Sequence, residues 1–110
     1  MLAKKERLGK KDFLKYFSAG TRYQSPQLTL VFHPNDRFLA AAVVGKKTAK
    51  KAHERNTLRR RLYAAFEQEK VARALKGVYI LIAKPPLFSL PRQKQREAAR
   101  TLIGRTIKER

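Results

Sequence analysis

Two stretches of this 110-residue chain are almost continuously apolar: Phe38 to Val44 (FLAAAVV) and Val78 to Ala83 (VYILIA). The chain as a whole is heavily charged, with 27 Lys and Arg against 8 Asp and Glu and a formal net charge of +19. A strand with one wet face alternates apolar and polar residues, so each uncharged run suits a strand buried on both faces. The sheet they build must be covered on each side, and amphipathic helices are the natural cover. Gln27 to His33 supplies one more strand. Its Leu28, Leu30 and Phe32 point one way and Thr29 and Val31 the other.

Punctuation residues divide the chain further. Residues 1–9 read as a flexible basic lead-in. Lys10 to Ala19 reads as a short helix in which Phe13 and Phe17 share a face, and Gly20 stops it. Ser25-Pro26 is a turn, and His33-Pro34-Asn35-Asp36 is a tight reversal that predicts an antiparallel hairpin between the strands on either side. Gly45 to His53 is a basic connection. A helix follows from about Glu54 to about Lys70, with room for a further turn to Leu75, and buries Leu58, Leu62, Ala65 and Phe66. Gly77 ends that unit. Lys84-Pro85-Pro86 stops the last strand. Ser89 is the expected N-cap of a final helix, with Pro91 in its first turn and Ala99, Leu102, Ile103 and Ile107 on its buried face. The expected order is α-β-β-α-β-α. That is a single-domain α+β fold over residues 1–110, an α/β sandwich with a small central sheet. If the second and third strands are parallel neighbours, the helix between them is a crossover.

The charge directs the functional reading. Lys46 to Arg61 holds eight cations against one acid, Glu54. A run so basic repels itself, and its partner is a polyanion, here a nucleic-acid backbone. The chain has no cysteine for a disulfide framework or thiolate metal site, no apolar core of a secretory signal, and nothing approaching a membrane span. A cytoplasmic location is expected. The eight acids are scattered, with no carboxylate pair suited to a metal-dependent nuclease, and no metal or catalytic residue is assigned. His33 reads as a surface residue at a strand end, and His53 as a neighbour of a phosphate. An independent metal-using nuclease is therefore disfavoured, and the chain reads as a binder.

Helical geometry sharpens the basic run. At about 100° per residue the apolar stripe centres between Leu58 and Leu62. Asn56, Arg59, Arg60 and Tyr63 then share one flank, with Arg55 at the stripe's edge. Arg61 falls on the other flank, roughly 160° from Tyr63. Arg makes bidentate phosphate contacts, and Asn can bond a base edge or a ribose hydroxyl. Phe13, Tyr16 and Phe17 read first as core, with stacking of unpaired bases as the alternative.

The string VVGKKTAKKAHERNTLRRRLYAAF (residues 43–66) resembles the signature region of the bacterial ribonuclease P protein subunit. That family has a Lys-Lys pair after a strand, a basic linker, and an Arg-Asn-x-x-(Lys/Arg)-Arg helix. Here these are Lys46-Lys47, Arg55-Asn56 and Arg59-Arg60. The Phe13–Phe17–Gly20 spacing and Ala83-Lys84-Pro85 match the family as well. The resemblance implies a left-handed βαβ crossover, in the ribosomal protein S5 domain 2-like fold. It implies a subunit that assists a catalytic RNA in removing the 5′ leader of precursor tRNA, an endoribonuclease activity whose centre lies in the RNA. Mg²⁺ would be bound mainly by the RNA and the substrate. Lys46, Lys47, Lys50, Lys51, Arg55, Asn56, Arg59 and Arg60 would face the catalytic RNA. Phe13, Phe17, Val31, Val43 and Lys84 would line the cleft for the single-stranded leader of precursor tRNA. No membrane and no obligate protein partner is implied. Thr57 stands where the family often has a further Arg, and Tyr63-Ala64 where it usually has Arg-Glu. The alternative reading is a ribosomal or ribosome-assembly RNA-binding protein.

Overall fold

The computed structural model describes residues 2–108. Its helices are α1 (Lys10–Ala19), α2 (Ala52–Arg73), α3 (Pro85–Phe88) and α4 (Arg92–Lys108). Its strands are β1 (Thr21–Gln24), β2 (Leu28–His33), β3 (Phe38–Val43) and β4 (Gly77–Ala83). They form one four-stranded sheet in the order β1-β2-β4-β3. β2 is antiparallel to both β1 and β4, and β3 and β4 are parallel, so α2 is the crossover between them.

The sheet separates two apolar layers. Leu28, Leu30 and Phe32 of β2 and Tyr79, Leu81 and Ala83 of β4 face α2 and α4, where they meet Leu58, Leu62, Ala65, Phe66, Ala99, Leu102 and Ile103. Tyr79 lies at the centre, with the rings of Phe32, Phe38 and Phe66 at centroid distances of 5.0, 5.8 and 6.2 Å. The opposite face presents Val31, Ala41, Val78 and Ile80, covered by Phe13, Tyr16 and Phe17 of α1. This layering follows from the alternation of side chains along each strand.

The expected hairpin of β2 with β3 does not form, because β4 inserts between them. Only residues 34–37 join β2 to β3, yet two strand spacings of about 4.8 Å are within their reach. Gly77 makes the insertion possible. It opens β4 at φ +114°, a region glycine enters without a Cβ penalty. A Cβ there would stand 2.7 Å from the Phe32 ring and 3.1 Å from the His33 carbonyl oxygen. The uncharged β4 thereby gains the central position, where both faces and both edges are covered.

Several boundaries differ from expectation. β1, which the sequence reading omitted, pairs with β2 through a turn in which Ser25 both donates to and accepts from Leu28. α2 starts before Glu54 and runs past Lys70, and Ala74 in the left-handed region ends it in place of Gly77. Ser89 caps no N-terminus. It closes the short α3, whose first residues are Pro85 and Pro86, and α4 begins only at Arg92. Ile107 is exposed, and the inward positions of that turn go to Gly104 and Thr106, whose hydroxyl donates to the Ile103 carbonyl.

The N-terminal lead-in, as far as it is described, is docked. Leu2 is buried in the core, and Lys4–Glu6 forms a 3-10 turn. The Leu8 amide donates to the Ala40 carbonyl at 2.8 Å, covering part of the β3 edge, and Glu6 pairs with Lys70 of α2. The hydrophobic Leu2 and the lone acid Glu6 drive this docking; the surrounding lysines hid it.

Candidate nucleic-acid interface

The exposed flank of α2 is built by the register of its buried one. Leu58, Leu62, Ala65 and Phe66 are buried, which turns Asn56, Arg59 and Arg60 outward. Together with Arg7, His53, Thr57 and Tyr63 they line a depression of about 530 Å³. Arg59 donates through Nη2 to Asn56 Oδ1, so these two side chains orient each other. Arg60 donates to the Thr57 hydroxyl at 3.4 Å. Among the described residues no acid lines the depression, so its field is positive.

Arg55 lies apart from this group. Its Nη1 donates to the carbonyls of Ala49 at 3.1 Å and Lys50 at 2.7 Å, fastening the preceding segment to the helix. That segment is no loose linker. Thr48 and Ala49 are buried, their amides donate to the Gly45 carbonyl, and the Thr48 hydroxyl donates to the Ala83 carbonyl at 3.0 Å. Lys46 and Lys47 on one side, and Lys50 and Lys51 on the other, are exposed around this anchor. Glu54, the one acid of the run, accepts from the Lys51 amide and so serves the start of α2.

Tyr63 reaches the same depression but is half-buried. Its ring packs on Phe66, and its hydroxyl accepts from the Ala42 amide on the open edge of β3 at 3.3 Å. This holds the ring against the core and leaves one edge toward the cations. Arg61 points to the opposite flank, as its helical angle requires, and donates to Gln95 of α4.

A second surface lies across the sheet. Phe13 and Phe17 stack at 5.5 Å between centroids, half-buried over Val31. Arg22 sits 4.4 Å from the Phe17 ring centre. The pairing of β2, β4 and β3 places Thr29, Ile82 and Val43 in the neighbouring row, with Ile82 and Val43 only half-buried. Lys84 continues that face of β4. Its Nζ donates to Gln24 Oε1 at 3.0 Å and the Ser25 carbonyl at 2.7 Å. Phe13, Phe17, Val31, Val43 and Lys84 therefore occupy one face, with Lys84 held at its end. Gly20 sets how closely α1 approaches. A Cβ there would stand 2.4 Å from Val31 Cγ1 and 2.9 Å from the Phe32 carbonyl oxygen.

Sequence reasoning overlooked Arg7, because its place depends on the docked N-terminus. It also overlooked Arg22, because β1 was not foreseen. Ile82 was legible from the alternation of β4.

The sequence matches the family described as Ribonuclease P over residues 2–107. The chain belongs to the ribonuclease P family. Among curated proteins, none matches it significantly. Solved ribonuclease P proteins share its fold. A Staphylococcus aureus RNase P protein mutant with defective mRNA degradation activity matches at a TM-score of 0.85 and 21% identity, over 94% of this chain and 89% of that one. Another structure of the S. aureus RNase P protein matches at 0.76 and 23%, over 94% and 91%. The RNase P protein from Thermotoga maritima matches at 0.73 and 27%, over 84% and 89%. Membership ties the chain to ribonuclease P and to tRNA processing. Among the described residues, no helix is long and apolar enough to cross a membrane.

Proposed function

We propose that this chain is the RNA-binding subunit of a ribonuclease P ribonucleoprotein, assisting a catalytic RNA in endonucleolytic removal of the 5′ leader from precursor tRNA. The observation that carries the reading is the ribonuclease P match over residues 2–107, on a fold with two different RNA-compatible surfaces. The first is the cationic flank of α2 with the anchored Lys46–Lys51 segment. Its Arg and Lys groups neutralise backbone phosphates, which suits a large structured RNA. The second is the face of α1 and the sheet, where Phe13 and Phe17, seated on the buried Val31, offer rings, and the half-buried Val43 and Ile82 offer an apolar floor. Arg22 and Lys84 bring cations to that floor, a combination suited to unpaired nucleotides.

Among the described residues, no three of His, Cys, Asp and Glu come together as metal ligands. As part of this proposal the Mg²⁺ of the reaction is assigned to the RNA and the substrate, and no step is routed through a metal held by this chain. The protein's contribution is binding and orientation.

The test uses the protein assembled with a bacterial ribonuclease P RNA, and precursor tRNAs with long, short or absent leaders. Affinity should rise with leader length when the protein is present, and Phe17→Ala should lose that increment by about 1–3 kcal/mol per stacked base. An equal effect on all three substrates would place Phe17 in the core alone and remove the leader assignment.

A further inference from the structure

The other flank of α2 carries a second concentration of cations. Arg60 and Arg61 of α2 and Arg92 and Arg96 of α4 line one depression of about 300 Å³, with Thr57 and Ala64 completing its walls. Among the described residues no acid lines it. Arg92 and Arg96 are one helical turn apart and share a face.

Two features distinguish this depression from a solvated basic patch. Arg61 is locked in place: its Nη1 donates to Gln95 Oε1 at 2.7 Å, and Gln95, only 2% exposed, donates in turn to the Leu87 carbonyl at 3.1 Å. Arg96 supplies the second. Its Nε is buried, and among the described residues its hydrogen finds no acceptor. A buried donor without a partner is costly, and the guanidinium that carries it keeps its positive charge. The neighbouring acids do not meet it. Glu69 is taken by Arg73 and Arg100, and Glu97 by Lys94. Glu67 lines the adjoining depression, which shares Arg96, and makes no hydrogen bond to the Arg96 Nε. Four guanidinium groups around one small space repel one another until an anion enters. Planar guanidinium forks match the oxygens of a phosphate group.

Arg60 and Thr57 line both this depression and the one at Asn56 and Arg59, so the two adjoin across the ridge of α2. The geometry points to a second phosphate-binding site in the groove between α2 and α4, which takes backbone phosphates of a polynucleotide. The site rests on the RNA-binding reading above, and extends it: α2 is held from both flanks.

The test compares wild type, Arg59→Gln, and the double variant Arg92→Gln with Arg96→Gln, each bound to a bacterial ribonuclease P RNA across a range of salt. The double variant should flatten the slope of log affinity against log salt by about 1.4–1.8, the value for two lost phosphate contacts. Arg59→Gln should flatten it separately. If the double variant unfolds early, Arg92→Gln alone, at an exposed position, should give about half that change. A double-variant slope equal to wild type, with Arg59→Gln reduced, would overturn this site and leave RNA binding standing. No RNA binding by wild type would remove both. Inorganic phosphate forms the second arm, followed through the Arg96 Nε–H resonance. Saturation by free phosphate with an unchanged RNA slope would assign the groove to the small anion and overturn the polynucleotide assignment.

Discussion

Arg55 and Arg59 stand one turn apart on α2 and act differently. Arg59 orients Asn56 and faces solvent beside Arg60, whereas Arg55 turns back to two linker carbonyls. Arg59→Ala with Arg60→Ala should therefore weaken binding to the catalytic RNA, flatten its salt dependence, and leave thermal unfolding nearly unchanged. Arg55→Ala should do the reverse in part. Losing its charge-assisted bonds should lower unfolding free energy by about 1–3 kcal/mol, measured in urea. Gly20→Ala introduces a Cβ against Val31 and the Phe32 backbone. It should displace α1 and impair leader binding before it affects binding to the catalytic RNA, a separation that competition between the two RNAs can read.

At the scale of elements, α2 is held at its start by the Thr48–Ala49 anchor, on β3 through Tyr63, on α4 through Arg61 and Glu69, and near its end by the N-terminal segment. Glu69 is almost fully buried, and accepts from Arg73 at 3.0 Å and Arg100 at 3.3 Å. Both arginines keep solvent contact, so Glu69→Gln should cost less than a fully buried pair, about 1–3 kcal/mol by urea unfolding. Glu6 ties the N-terminus to α2. The hydrogen bond from Lys70 holds its carboxyl below the usual carboxylate range. A depressed folded-state pKa contributes stability above the unfolded value near 4.3 and loses it as pH falls through the folded value. Exchange of the Leu8 amide should therefore accelerate as pH drops below about 4.3, beyond the intrinsic trend, and Glu6→Gln should remove that acceleration. Unchanged protection would show that the segment is held without the Glu6–Lys70 pair.

For the whole molecule, the sheet divides two surfaces of different chemistry: cations on ordered turns of α2, and rings with an apolar floor on the side of α1. Much of this was legible in the sequence. The helical period placed Leu58, Leu62, Ala65 and Phe66 inside and Asn56, Arg59 and Arg60 outside, and the uncharged runs marked β3 and β4. The strand order was not legible, since a four-residue reversal is compatible either with a hairpin or with a strand inserted between its arms. The role of Gly77 appears only once β4 has taken that place. The anchoring of Thr48 and Arg55 depends on the Ala83 carbonyl and on local backbone geometry, neither of which a charge pattern reveals. Arg7 required a docked N-terminus that its lysines disguised.

Under the proposed function, the protein is a binder that makes an RNA catalyst effective. Cleavage of precursor tRNA by a bacterial ribonuclease P RNA, at Mg²⁺ too low for the RNA alone, tests that most directly. Wild-type protein should restore cleavage at the mature 5′ end, and Arg59→Ala with Arg60→Ala should restore it only at higher protein concentration. Tight binding of the protein without any stimulation of cleavage would contradict that function.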